Sequence, residues 1–376
     1  MKSSPSSAFI PREYDVFCGM DVDKQSISAT FLNHFGEMKS IKTSYSAQNI
    51  MNYANNHYSG QKIVYAYEAG PTGYGLYDDI TDNGNICLIV TPASIPKASN
   101  ERVKTNRLDS IKIAENLRGG QLENIHVPTD VYRNLRHLTQ IRDTFVKQDI
   151  ATKLRIKSLL LFEGIQFPHS QHSTRDWTCD VKQRLRELPC SDIVRFKLDS
   201  LLNNLEYYHH NIIETSKYIR KYCKENSEIK QNMEYIQSIP GIGTTTASQL
   251  IARIGDWRQL TRPTQIGAFL GLVPSEDSTG KDINRGSITR LGDRRLRNKL
   301  VQCAWICIRK DKELLDFYQR VYKNHNKKYA AKKAIVAVAR KLTTRIFAVL
   351  KEQRRYEIRE QIYCPGKDSI GTRMNH

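Results

Sequence analysis

Lys62-Ile63-Val64-Tyr65-Ala66-Tyr67-Glu68-Ala69-Gly70-Pro71-Thr72-Gly73 is the stretch that fixes the position of one carboxylate. Residues 63–67 form a short apolar and aromatic run, the composition of a strand covered on both faces. Gly70-Pro71-Thr72-Gly73 breaks that strand. Glu68 therefore stands at the carboxyl end of a buried strand, just before a turn, where open α/β sheets carry their chemistry. The plain alternative is a solvated loop acid. Acids elsewhere in the chain favour the first reading.

Upstream, residues 14–20 read as a strand that runs into Gly19-Met20-Asp21-Val22-Asp23-Lys24. The alternating run of residues 26–32 follows a tight turn and pairs with it as a hairpin. Residues 38–45 predict a third strand, and a short helix near 49–58 precedes the Glu68 strand. Downstream, a helix from Gly75 to about Thr81 leads to a buried strand at 86–90, closed by Pro92. Three strands, helix, strand, helix, strand describe an α/β domain with a mixed sheet. The basic, polar residues 96–107 read as a mobile loop. Residues 109–117 then repeat apolar side chains at helical spacing and stop at Gly119-Gly120. Asp109 lies in that helix's first turn, where the helix dipole favours a carboxylate; a simple capping acid is the alternative.

Composition narrows the partners. The chain has 376 residues, 39% hydrophobic and 26% charged, with a net charge of +19 and a pI near 9.5. Such an excess of cations suits a polyanion, nucleic acid or an acidic membrane surface. No apolar run approaches the roughly 20 residues that span a bilayer, and residues 1–9 show no apolar signal-peptide core. Nucleic acid is the better match, with no membrane involved. The eight cysteines are scattered with no C-x-x-C, so Cys303 and Cys307 read as core residues. Reduced thiols and a cytoplasmic location follow, nucleoid-associated when the protein is on DNA.

The second half reads as helical. Residues 130–162 carry Leu135, Leu138, Ile141, Phe145, Ile150 and Leu154 on one side of a long helix. A second long helix carries Leu198, Leu201, Leu205, Tyr208, Ile212, Ile219 and Tyr222. Two such helices predict a coiled-coil hairpin for dimerisation or for gripping something extended. Ile239-Pro240-Gly241-Ile242-Gly243 resembles a helix-hairpin-helix turn, with Gly241 and Gly243 letting backbone N–H groups approach a phosphate; a plain loop before a helix is the alternative. Ser275-Glu276-Asp277-Ser278-Thr279-Gly280-Lys281 is small and hydroxyl-rich, and the cations Arg290, Arg294, Arg295, Arg297 and Lys299 follow it. That composition suits a phosphodiester, or merely a solvated loop.

Asp21 ends one strand, Glu68 ends another and Asp109 opens a helix, the pattern of an RNase H-like site in which hard oxygen ligands converge on Mg²⁺. A sugar-kinase or actin-like ATPase fold shares the opening hairpin, but a second Gly-rich phosphate hairpin is missing from the later half. Six stretches, at 19–24, 67–74, 102–110, 239–243, 271–281 and 288–293, resemble in order the DEDD-type insertion-sequence transposases. The resemblance is to the IS-one-ten family, nearer its IS-eleven-eleven subgroup, with the Piv DNA invertases as relatives. It covers about residues 14 to 350.

The resemblance implies a RuvC-like metal-binding domain over 1–128, a helical coiled-coil region over 129–230, a mostly α C-terminal transposase domain over 231–350 and a basic tail over 351–376. It implies a site-specific recombinase that cuts and rejoins DNA with Mg²⁺ or Mn²⁺, as a homo-oligomer from dimer to tetramer, guided by a structured RNA. By motif position Asp21, Glu68 and Asp109 are three metal-site acids and Ser278 is the nucleophile, with Ser275, Thr279 and Ser287 as rival hydroxyls. The fourth acid falls at Asn106, an amide, which weakens metal binding, calls on a neighbour such as Asp23, or marks an inactive copy. Lys104, Arg107 and Lys281 join Gly241, Gly243 and the arginines as nucleic-acid contacts. Two other functions fit the same residues: a Holliday-junction-type nuclease with metal-activated water, and a catalytically inactive nucleic-acid-binding protein.

Overall fold

A computed structural model describes residues 9–92, 95, 105–169, 176–276, 279 and 284–358. The chain divides into two compact units, residues 1–127 and 128–376.

The first unit runs β1 (Val16–Val22), β2 (Ser26–Asn33), β3 (Met38–Ser44), α1 (Ala47–His57), β4 (Ile63–Glu68), α2 (Gly75–Asp82), β5 (Ile86–Val90) and α3 (Asn106–Arg118). One five-stranded sheet has the order β3-β2-β1-β4-β5; β1, β2 and β3 are antiparallel, whereas β1, β4 and β5 are parallel. Strand alternation sorts the side chains into two layers. Cys18, Met20, Phe31, Tyr65, Tyr67 and Ile89 pack with Ile50 of α1 and Leu76 and Ile80 of α2. Phe17, Val64, Ala66, Leu88 and Val90 pack with Ile113 and Leu117 of α3 on the other face. This mixed α/β order agrees with the expected RNase H-like class. β1 extends two residues beyond the expected end because it stays paired with β2 to Val22. α3 starts three residues early, capped by the Thr105 hydroxyl, which accepts from the Leu108 amide at 3.3 Å.

The second unit contains α4 (Asp130–Phe162), α5 (Cys179–Glu187), α6 (Asp192–Glu225), α7 (Ser227–Gln237), α8 (Thr244–Ile254), α9 (Thr264–Phe269), β6 (Pro274–Glu276), β7 (Arg285–Ile288), α10 (Arg294–Lys310), α11 (Lys312–Lys323) and α12 (Lys327–Lys351). The long helices α4 and α6 run antiparallel: the Tyr222 hydroxyl donates to the Val131 carbonyl, Arg142 donates to the Ser216 hydroxyl, and Ile156 packs with Leu198. Of the apolar stripe expected on α4, Leu135 is buried and Leu138 packs against the core, but the stripe does not continue to the far end. Tyr132, Leu135, Thr139, Asp149, Thr152, Ile156 and Leu159 are buried, while Ile141, Ile150 and Leu154 are exposed. Steps of three and four residues from Tyr132 lead to the polar positions, whose groups find partners locally. Thr139 Oγ1 donates to the Arg136 carbonyl and Asp149 pairs with Lys153 at 2.8 Å. At one end the pair joins a large core with α7, α8, α10 and α12; at the other it closes a smaller cluster with Val181 and Leu185 of α5. Among the described residues no helix is long and apolar enough to cross a membrane.

Candidate active site

The register of the sheet aligns the two strand acids. β1 and β4 are parallel, with Met20 opposite Tyr67 as the last pair, so Asp21 and Glu68 follow as the next step on strands about 4.8 Å apart. Phe17 on β1 and Val64 and Ala66 on β4 face α3, and alternation directs Asp21 and Glu68 to the same side. Both are half-buried. Behind Glu68 the turn is tied down by the Tyr67 hydroxyl, which donates to the Gly73 carbonyl at 2.9 Å. Burial pushes the Tyr65 and Tyr67 phenols well up.

Gly19 lets α3 reach this edge. A Cβ on Gly19 would lie 2.3 Å from the Ala114 amide nitrogen and 2.4 Å from the Ser110 carbonyl oxygen. Helix backbone therefore rests directly on strand backbone. Phe17 lies under Ile113 and Leu117, and Gly19 under Ser110 and Ala114. The helix thus runs opposite to β1, and its first turn, with Asn106 and Asp109, lies toward Asp21. Asp109 Oδ1 is 3.9 Å from Lys112 Nζ, and Asn106 is exposed at the first helical position. Asp23 is in the β1–β2 turn, where its carboxylate accepts from the Lys24 amide at 2.7 Å.

Asp21, Glu68, Asn106 and Asp109 are all hard oxygen donors, the chemistry that suits Mg²⁺ or Mn²⁺. Their elements converge, but the carboxylates are not drawn into a finished ligand set. Among the described residues no three His, Cys, Asp or Glu side chains are close enough to hold one ion.

The sequence reading missed a polar row beside these acids. Asp21 is opposite Ser28 on β2, and Ser28 is opposite Lys42 on β3. One step earlier Thr30 Oγ1 shares hydrogen bonds with Ser40 Oγ at 2.9 Å and Ser110 Oγ at 2.8 Å, joining β2, β3 and α3. Ser28, Ser40, Lys42, Asn106, Arg107 and Ser110 line a cavity of about 660 Å³. The signal was the alternation of Ser28 and Thr30 with Ile27, Ala29 and Phe31, which reads equally as the outer face of an edge hairpin.

In the second unit, β6 and β7 pair antiparallel on either side of residues 277–283. Ser278 and Lys281, like Lys104 in the first unit, lie outside the described residues. The base of the hairpin is locked by two glycines with positive φ. A Cβ on Gly271 would lie 2.1 Å from the Leu291 carbonyl oxygen, and one on Gly292 would lie 2.0 Å from that of Phe269. Of the rival hydroxyls, Ser275 Oγ donates to the Ser287 carbonyl at 3.1 Å.

The predicted nucleic-acid contacts separate into different environments. Arg294 is exposed, whereas Arg297 is buried and donates to the Leu270 carbonyl at 2.9 Å. Arg295 pairs with Asp143 of α4 at 3.2 Å. Arg290 has φ +58° beside Gly271, whose carbonyl accepts from its amide. Gly241, with φ +85°, packs against α10: a Cβ there would lie 2.9 Å from the Cys303 carbonyl oxygen. Gly243 precedes α8 with open space around it. Cys303 and Cys307 are core residues as expected.

Comparison with known proteins meets this geometry. A DEDD transposase family model matches residues 18–163, and the model described as "Transposase IS116/IS110/IS902 family" matches residues 233–319. The y4qE protein of Sinorhizobium fredii is 31% identical over 65% of this chain and 58% of its own length. The transposase for insertion sequence element IS1111A of Coxiella burnetii is 29% identical over 67% of this chain and 68% of its own. The pilin gene-inverting protein of Moraxella bovis is 26% identical over 48% and 54%. The chain spans 58% and 59% of the first two relatives, y4qE and the IS1328 transposase of Yersinia enterocolitica. The two family matches together take in more than half of the sequence. This chain belongs to the DEDD-type insertion-sequence transposases of the IS110 family.

Proposed function

We propose that this chain is the transposase of an insertion sequence, a site-specific recombinase that cleaves and rejoins DNA through a covalent serine–DNA intermediate. The observation that carries the proposal is the alignment of Asp21 and Glu68 at the ends of adjacent parallel strands, on the face over which Gly19 admits the first turn of α3. Asp21, Glu68, Asp109 and the Asn106 amide oxygen would hold a divalent cation. When bound, that cation polarises the scissile phosphate and stabilises charge that develops on it. Asp21 and Glu68 would hold that cation in a fixed position, since both are anchored in the sheet.

Ser278 Oγ attacks phosphorus while its proton passes to a carboxylate or to solvent. The Ser–O–P bond forms, the P–O bond to one deoxyribose breaks, and the released hydroxyl takes up a proton. Attack by a second deoxyribose hydroxyl on the phosphoserine ester rejoins the strands and frees the serine. Arg107, Lys281, Arg290 and Arg294 neutralise neighbouring phosphates. The net charge of +19 supports a further polyanionic partner, a structured guide RNA. A homo-oligomer of two to four copies would pair the DNA ends.

A suicide DNA substrate, followed by mass spectrometry of the trapped peptide, tests the scheme. The adduct should map to Ser278 and vanish in both Ser278→Ala and Asp21→Asn. An adduct that survives Ser278→Ala assigns the attack to another hydroxyl. Metal-dependent cleavage with no adduct at all assigns it to water, as in a junction nuclease. No cleavage under any metal leaves a binding protein.

A further inference from the structure

A second cavity in the C-terminal unit, of about 930 Å³, lies between α10 and α12. Its volume is within the about 300–1,000 Å³ usual for ligand pockets. Arg294, Asn298, Gln302 and Trp305 present one face of α10 to it, Lys332 contributes from α12, and Arg290 closes one side. No acidic side chain is among the described residues lining it, and no ion pair among the described residues engages Arg290, Arg294 or Lys332. Trp305 is 39% exposed. Its ring is 5.8 Å from Tyr318 of α11, and Tyr318 is 6.0 Å from Tyr322, so the indole is backed by further rings.

Cations without acids, a supported aromatic plane and two side-chain amides match one kind of occupant. A base stacks on the ring, its phosphates meet the cations, and the amides reach the base edge. Duplex DNA keeps its base faces covered, so only an unpaired nucleotide uses the indole. We infer that this groove binds an unpaired DNA strand, with a base stacked on Trp305 and its phosphates on Arg290, Arg294 and Lys332. Membership of a transposase family selects DNA over RNA, and Ile288, paired with Pro274 at the base of the β6–β7 hairpin, lines the same cavity. This inference rests on the recombinase reading above.

Fluorescence anisotropy of the full chain with a labelled single-stranded DNA, the same sequence as RNA and its DNA duplex decides the matter. Trp305→Ala should weaken single-stranded DNA about tenfold or more and leave duplex affinity nearly unchanged. Trp305→Phe should keep most of that affinity, which also shows that the Ala variant's loss is not misfolding, while removing the tryptophan quenching that accompanies binding. Lys332→Gln should reduce the salt slope on single strands by about 0.7. Wild-type affinity for single-stranded DNA in Trp305→Ala overturns the inference, as does an equal loss on duplex and single strand, or a loss on RNA alone. Each of these leaves the recombinase reading in place. A wild-type chain that binds none of the three probes removes both.

Discussion

Gly19 shows how one missing methyl group can shape a site. Its neighbours on either side are ordinary buried strand residues, Cys18 and Met20. Only the helix backbone lying 2.3–2.4 Å from its absent Cβ explains why no other residue fits. Gly19→Ala must push α3 away from β1, because the obstructing atoms are main-chain and cannot rotate aside. Overpacking of this kind costs about 1–3 kcal/mol, occasionally more. Urea denaturation should show that loss, and the proposed metal-dependent cleavage should fall with it, because Asn106 and Asp109 ride on the displaced helix. Unchanged stability in Gly19→Ala would mean that α3 does not rest on the strand. At this scale Asp21 and Glu68 were legible from the chain alone, since strand ends before turns announce themselves. Ser28, Thr30 and Ser110 were not, because a hydroxyl on an alternating strand looks the same facing water or a helix.

At the scale of elements, the antiparallel pair α4 and α6 is bound to the C-terminal helices through Asp143. Its carboxylate accepts from Gln249 of α8 at 2.7 Å, and it faces Arg295 and Lys299 of α10 at 3.2 and 4.0 Å. Lys299 also donates to Gln249. Burial lowers the Lys299 pKa, and Asp143 opposes that shift. A lysine whose folded pKa is depressed is a liability while charged. The unfolded chain binds more protons between the folded and unfolded pKa values, so stability rises with pH through that window. Asp143→Asn removes the opposing charge, depresses the lysine further and widens the window toward neutrality. Losing a partly buried charge-assisted partner should cost about 1–3 kcal/mol at pH 7. Urea melts should find the deficit relative to wild type smaller at pH 9.5 than at pH 7. A deficit that grows with pH would show that Lys299 does not feel Asp143.

The whole molecule is governed by its charge. With +19 spread over 376 residues, binding to duplex DNA should fall steeply with salt, each neutralised phosphate adding about −0.9 to the log–log slope. Arg294 and Arg297 separate the contributions to that slope. Arg294→Ala should flatten it by about 0.9 with little effect on stability, because the side chain is exposed. Arg297→Ala should instead reduce stability, because it removes a buried guanidinium bonded to the Leu270 carbonyl. Titrations from about 50 to 200 mM salt would expose an affinity that hardly changes, and that result would contradict a polyanionic partner.

The sequence alone determined the identity and order of the elements in the N-terminal unit. Buried strands, tight turns and amphipathic helices are encoded by neighbours within a few residues. It also determined two strand-end acids and the family, because those motifs are local. Only the tertiary structure decided which stripe of α4 is buried, since a helix seam follows its partner's period and accepted Thr139, Asp149 and Thr152 in place of Ile141, Ile150 and Leu154. The structure likewise decided that Gly241 serves helix packing and that Arg297 is a core residue. It alone brought Ser28, Lys42 and Ser110 beside the acids. Each of these outcomes depends on residues distant in the chain meeting across an interface, and local pattern carries no record of what lies on the other side.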